Sequence, residues 1–79
     1  MRRYTVVLAF DPEVDSYAVS VPALAGCFTQ GRTVEEALAN AKEAIEVHLS
    51  ALLAQGERIP DDVSPLVYMI DIQQPQLAR

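Results

Sequence analysis

Five side chains in this sequence could do chemistry if the fold gathered them. Cys27 and His48 are the only residues of their types, and a thiolate beside an imidazole is a recognised nucleophile and base. Asp11, Asp15 and Asp71 could instead converge on divalent ions for phosphodiester hydrolysis. Each has a plainer reading. His48 falls on the apolar stripe of a helix, where a packed or interface histidine with a satisfied ring nitrogen is expected. Cys27 follows a glycine among small residues, with no oxyanion hole or third orienting group in sight, so packing is the default. Asp11 and Asp15 bracket Asp11-Pro12-Glu13-Val14-Asp15-Ser16, whose composition a turn already explains. Gly26 and Gly31 make no phosphate loop, because Gly31-Arg32-Thr33 lacks the first glycine and the lysine of that motif. The helix start that follows is a weak anion site opposed by Glu35 and Glu36. No catalytic residue, metal ligand or cofactor is therefore expected.

What must position these residues is a small domain. The chain has 79 residues, 51% hydrophobic, with Lys+Arg 6 against Asp+Glu 11 and a net charge of -5. A chain this short buries roughly 60–65% of the surface it exposes when unfolded, so its core is marginal and self-association is a natural way to extend it. One cysteine makes no internal disulfide, and one His with one Cys builds no structural zinc site. The apolar stretch after Met1-Arg2-Arg3 stops at Asp11, too short for a secretory leader or a membrane span, so a soluble cytoplasmic protein is expected. Arg2, Arg3, Arg32, Lys42, Arg58 and Arg79 are scattered and outnumbered by acids, which argues against duplex binding through phosphate contacts.

From Arg3 to Phe10 the residues alternate and are rich in β-branched and aromatic types, predicting a central strand. A second strand spans Tyr17 to Val21 and ends at Pro22, which cannot donate to a ladder. A third covers Cys27 to Gln30. At Thr33 the period changes to 3.6, and Thr33 with Glu36 forms a capping box that opens a helix from Val34 to Gln55. Val34, Ala37, Leu38, Ala41, Ala44, Ile45, His48, Leu49 and Leu52 share its apolar stripe, with Leu38 and Ile45 expected in the core. Gly56 closes the helix, and Ile59-Pro60 opens a polar connection. Leu66 to Ile72 alternates again and predicts a fourth strand, with Leu66, Tyr68, Ile70 and Ile72 opposite Val67, Met69 and Asp71. The expected architecture is α+β, a two-layer β-β-β-α-β sandwich of one helix on an antiparallel-rich four-stranded sheet. Residues 1–72 make the domain and 73–79 a tail.

The string Val21-Pro22-Ala23-Leu24-Ala25-Gly26-Cys27, then Thr29 and Gly31-Arg32-Thr33-Val34-Glu35-Glu36-Ala37, resembles the HicB-like antitoxin family. Tyr17 before it, Asn40-Ala41-Lys42-Glu43-Ala44 after it and Gly56 with Ile59-Pro60 extend the likeness over roughly Tyr4 to Pro60. Ala25 stands where the family usually has proline, and Arg32 where an acidic residue is common. The resemblance implies a partly degraded ribonuclease H-like fold that performs no catalysis and blocks a small toxin ribonuclease, HicA. Longer members add a DNA-binding domain, for which too few residues follow the helix here, so no direct nucleic-acid contact is expected.

A small basic HicA-like toxin is thus the expected partner, with net charge -5 speeding the encounter and Leu24, Ala25, Cys27 and Phe28 supplying contacts. A homo-dimer or higher homo-oligomer is expected because both faces of the first strand carry apolar side chains. The competing readings are a stand-alone oligomeric domain that binds a small molecule or another protein, and a metal-dependent ribonuclease H-like nuclease using Asp11, Asp15 and Asp71.

Overall fold

A computed structural model of the protein describes residues 2–77, leaving Met1, Ala78 and Arg79, and so the end of the expected tail, outside the described residues. The elements run β1 (Val7–Asp11), β2 (Ser16–Ser20), β3 (Phe28–Gly31) and α1 (Val34–Ala54). The strands form one antiparallel sheet in the order β1-β2-β3. The α+β class stands, with three strands in place of four. Leu66 to Ile72 pairs with no strand among the described residues, and its apolar residues are 77–97% exposed. An alternating pattern sets which side chains share a face, but a strand exists only when a neighbour supplies its hydrogen bonds.

β1 also departs from expectation by lying at the sheet edge, with β2 central. Its ladder begins at Val7 instead of Arg3, because β2 can serve nothing earlier. Val7 pairs with Ser20, the Val21 amide turns away to donate to the Cys27 carbonyl (3.3 Å), and Pro22 has no N–H. At the other end Asp11 pairs with Ser16 across a tight connection, where the Asp11 carboxylate accepts from the Glu13 amide (3.0 Å) and Asp15 takes φ 50°. Both aspartates are thereby accounted for as turn residues.

The helix begins as its sequence dictates, with Thr33 Oγ1 accepting from the Glu36 amide (3.0 Å). The Glu36 carboxylate reaches back one residue further than a capping box requires and accepts from the Arg32 amide (3.2 Å). At the far end Gly56, at φ 72°, donates to the Leu53 carbonyl while Glu57 donates to Leu52, a Schellman closure.

α1 lies over β3 and β2 and touches β1 least. The approach to β3 is close enough that a Cβ on Gly31 would meet the backbone of Ala37, with its Cα at 2.6 Å. Small residues permit it: Ala37 and Ala41 are the helix positions fully removed from solvent, packed on Val19 with Val6, Leu8 and Tyr17 around them. A second cluster of Val21, Leu24 and Cys27 packs against Tyr4, Val6, Ala44, Ile45 and Leu49. Leu38 is not in this core. It is 48% exposed, because a helix displaced toward β3 turns the Val34 and Leu38 flank of its stripe past the β1 side of the sheet.

The connector after α1 returns to the N-terminus. Tyr4 Oη donates to the Pro60 carbonyl, and Asp62 accepts from both the Thr5 amide (3.0 Å) and the Thr5 hydroxyl (2.7 Å). Arg2 pairs with Asp61 at 3.1 Å on the surface. Beyond this latch the chain leaves the body, which accounts for a radius of gyration of 16.3 Å and extents of 55 × 26 × 23 Å. A compact body of this length would have a radius of about 12 Å. No described helix is long and apolar enough to cross a membrane.

Candidate partner-binding surface

Residues 21–27 form two consecutive turns. The Leu24 amide donates to the Val21 carbonyl (3.0 Å), and the Cys27 amide donates to the Leu24 carbonyl (3.1 Å). In the second turn Gly26 occupies the third position at φ 80°, a conformation that favours glycine. Together the turns drive Leu24 inward. It is 2% exposed and Cys27 is 4% exposed, whereas Ala25 lies on the surface and Phe28 is 71% exposed. The four residues expected to meet a partner therefore divide into two that can be touched and two that hold them in place. A loop of small residues looks solvent-facing in sequence, and only the paired turns reveal that its leucine folds under it.

Beside Phe28, at the free edge of β3, a groove runs along α1 and is lined by Asn40, Glu43, Val47 and His48. Val47 is 63% exposed, so the groove offers two apolar contacts, Phe28 and Val47, with the Glu43 carboxylate nearby. Asn40 is already committed: its side-chain amide donates to the Gln30 carbonyl (2.7 Å), tying helix to strand and fixing the floor. Sequence reasoning missed Glu43 and Val47. Their signal was present, since they lie outside the apolar stripe at helical spacing from Asn40 and Ala44.

His48 and Cys27 line the same groove, so the structure does bring near one another the two residues whose types suggest a nucleophile and base. Burial pushes the Cys27 thiol up from its ordinary value. A thiol held in its protonated form is a poor nucleophile, and its surroundings of Val21 and Leu24 are those of a packing residue. The three aspartates are not gathered: Asp11 and Asp15 flank the hairpin turn and Asp71 lies on the projecting segment. Among the described residues no three His, Cys, Asp or Glu side chains cluster as metal ligands would.

The accessible features of this small α+β domain are an apolar and acidic groove along α1 and open strand edges. Residues 4–77 match the family described as HicB_like antitoxin of bacterial toxin-antitoxin system, and the chain belongs to that family. It is 52% identical over 60 residues to a UPF0150 protein of Thermoplasma acidophilum, covering 76% of this chain and 86% of the relative. A UPF0150 protein of Synechocystis is 39% identical over 71 residues, covering 85% of this chain and 87% of the relative. An uncharacterized 14.9 kDa protein from the rep-hol intergenic region of Haemophilus phage HP1 is 50% identical over 46 residues, 58% of this chain and 35% of that protein. The likeness read from the Pro-x-Leu-x-Gly-Cys and Thr-x-Glu-Glu-Ala strings is borne out.

Proposed function

We propose that this protein is a non-catalytic, cytoplasmic, self-associating antitoxin module that neutralises a small basic HicA-type ribonuclease by seating it on the groove between β3 and α1. The observation that carries this reading is the 71% exposure of Phe28 at an open strand edge, on a chain that belongs to an antitoxin family. A large aromatic in that position loses little conformational freedom on docking and supplies much of the contact area a binding hot spot needs. Ala25 extends the contact, while Leu24 and Cys27 act from beneath by fixing the turns. The exposed side of α1 supports a cationic partner, since Glu35, Glu36, Glu43 and Glu46 face the single Lys42. Such an imbalance speeds encounter with a basic protein more than it adds to affinity. It also disfavours nucleic acid, as the one close cation pairing among the described residues, Arg2 with Asp61, takes Arg2 partly out of service.

The test begins with the reading frame beside this one. If that frame encodes a small basic protein, titration calorimetry of the pair is expected to show a stable complex that Phe28→Ala weakens by at least tenfold. The circular dichroism of the variant should match the parent because Phe28 is outside the core. Unchanged affinity in Phe28→Ala would move the site elsewhere, and loss of toxin binding in no variant of Phe28, Ala25 or Val47 would remove the groove from the reading altogether. RNA incubated with the protein in Mg²⁺ or Mn²⁺ is expected to remain intact.

A further inference from the structure

We propose that Leu66 to Ile72 is an exchanged strand: it docks on the β1 edge of a second copy of this chain, whose own segment docks on the first. The inference rests on the self-association proposed above and is independent of any toxin. Its first support is the condition of β1. Strand edges that face solvent are ordinarily protected by charges, proline or bulges, yet Tyr4 to Phe10 contains no charged residue and no proline. It has the composition of an interior strand and stands at an edge.

The second support is the groove beside that edge. Because α1 lies toward β3, the space between it and the N-terminal strand is left open, lined by the apolar Tyr4, Val6, Leu38, Ala41, Ile45 and Leu49 together with the charged Arg2, Lys42 and Glu46. A strand added to β1 would lay one face over this groove. Leu66, Tyr68, Ile70 and Ile72 form such a face, and each is at least 77% exposed as the chain stands. The opposite face would continue the outer side of the sheet and carries Asp71 to solvent. Seven residues span about 23 Å at about 3.3 Å per residue, enough to run the length of β1 and its lead from Thr5.

What selects a second copy is the latch. Asp62 is bound to Thr5 by two hydrogen bonds, so only Val63, Ser64 and Pro65 separate a fixed point on the N-terminal strand from the segment. Pro65 fixes its own φ and holds Ser64 extended, which opposes the reversal that closure onto the same body requires. The segment accordingly projects outward and stretches the molecule to 55 Å. Charge points the same way. Between Val63 and Ile72 only Asp71 is ionic, and the edge it would meet carries one charge, Asp11 at the end of β1, so the union suits a nearly neutral strand system better than a cationic protein. Each copy offers one segment and one edge, and a two-fold axis satisfies both at once.

Sedimentation of the full chain is expected to give twice the mass of one chain at micromolar concentration. In a mixture of isotopically labelled and unlabelled protein, intermolecular NOEs should link Leu66–Ile72 to Val7–Asp11. The double variant Val67→Pro, Met69→Pro removes two ladder donors from a segment that contributes nothing to the single-chain core, so it should remain folded by circular dichroism and sediment as a monomer. A wild-type monomer would overturn both the self-association and the exchange. A dimer whose NOEs to β1 are intramolecular, or one that survives the double proline with its mass unchanged, would overturn the exchange alone.

Discussion

The two edges of this sheet were finished differently. At β3 the packing beneath the edge is complete and Phe28 alone stands out from it: Gly31 admits the helix backbone, Asn40 takes the Gln30 carbonyl, Thr33 caps α1, and Leu24 and Cys27 seal the turn below. At β1 a strand whose one charge is its last residue, Asp11, borders an open groove, and the connector ties back to the chain before it through Thr5 with Asp62, Tyr4 with Pro60 and Arg2 with Asp61. In a chain of 79 residues with so few buried apolar groups, the finished edge supplies the single-chain fold and the unfinished one supplies a reason to associate. Stability should therefore be lost at one edge and assembly at the other.

The sharpest break in that division is Leu24→Ala. Leu24 is the largest of the fully buried side chains, and truncating a leucine in such a site costs about 2–5 kcal/mol. A domain of this size has little more than that in total. Urea unfolding is expected to show Leu24→Ala largely unfolded or with its midpoint sharply lowered, even where the chain is dilute enough to be a monomer.

Next in size is a contrast between two helix residues that share one stripe. Ile45 packs on the Val21, Leu24 and Cys27 cluster, whereas Leu38 is 48% exposed on the open groove. Ile45→Asp places a carboxylate against that cluster and should destabilise the monomer by about 2 kcal/mol or more. Leu38→Asp should cost the monomer below about 1 kcal/mol, as surface changes usually do, while raising the dissociation constant of the proposed dimer at least tenfold. Chemical denaturation at low concentration, paired with sedimentation at high concentration, separates the two. Equal losses of monomer stability would mean that α1 covers β1 as fully as β3.

These differences show which features local residues can announce. Thr33 with Glu36, Gly56, Pro22 and the Asp11 to Asp15 turn are readable because each is decided within a few residues of itself. The helical stripe is equally readable, but which part of it is covered depends on where the helix crosses the sheet, and that is fixed by an approach of the Ala37 backbone to Gly31 that leaves no room for a Cβ. Leu66 to Ile72 shows its period plainly and hides its neighbour, since alternation is a property of one strand and pairing a property of two. At the candidate site Phe28 and Ala25 lie on the surface and Leu24 does not, because its burial follows from hydrogen bonds that connect Val21, Leu24 and Cys27. Asp62 lies in the polar connection after the helix, and its partner Thr5 is 57 positions away and leaves no trace nearby.

A smaller effect sharpens the finished edge. Ala25 holds the second position of the turn closed by Leu24 and Cys27, where proline is favoured, and the turn's bonds use the amides of Leu24 and Cys27 and not that of Ala25. Ala25→Pro should raise stability by about 0.4–1 kcal/mol by restricting the unfolded chain. Thermal melting of the two proteins checks it, and a lowered midpoint would mean that the φ at Ala25 is not one that proline can take.

The least of the expected effects concerns the latch, and its direction follows from one carboxyl. Hydrogen bonds from the Thr5 amide and then the Thr5 hydroxyl hold Asp62 below the ordinary aspartate range, a lowering that the modest cost of desolvation does not cancel. A carboxyl harder to protonate in the folded protein than in the unfolded chain contributes fully above its unfolded pKa, and that contribution fades as pH falls through the lowered folded value. The latch is therefore closed at neutral pH and opens only in acid. Because Asp62 is fully exposed, its opening should leave the melting temperature nearly unchanged and be seen locally, as faster hydrogen exchange of the Thr5 amide below the usual aspartate pKa. Asp62→Asn should show fast exchange at Thr5 already at neutral pH and no further acid response, because the acceptor pair that titrates has been replaced by a single amide oxygen. A protected Thr5 amide in that variant would show that the connector is held by Tyr4 and Pro60 alone, and that the segment beyond it takes its outward course from Pro65 without help from Asp62.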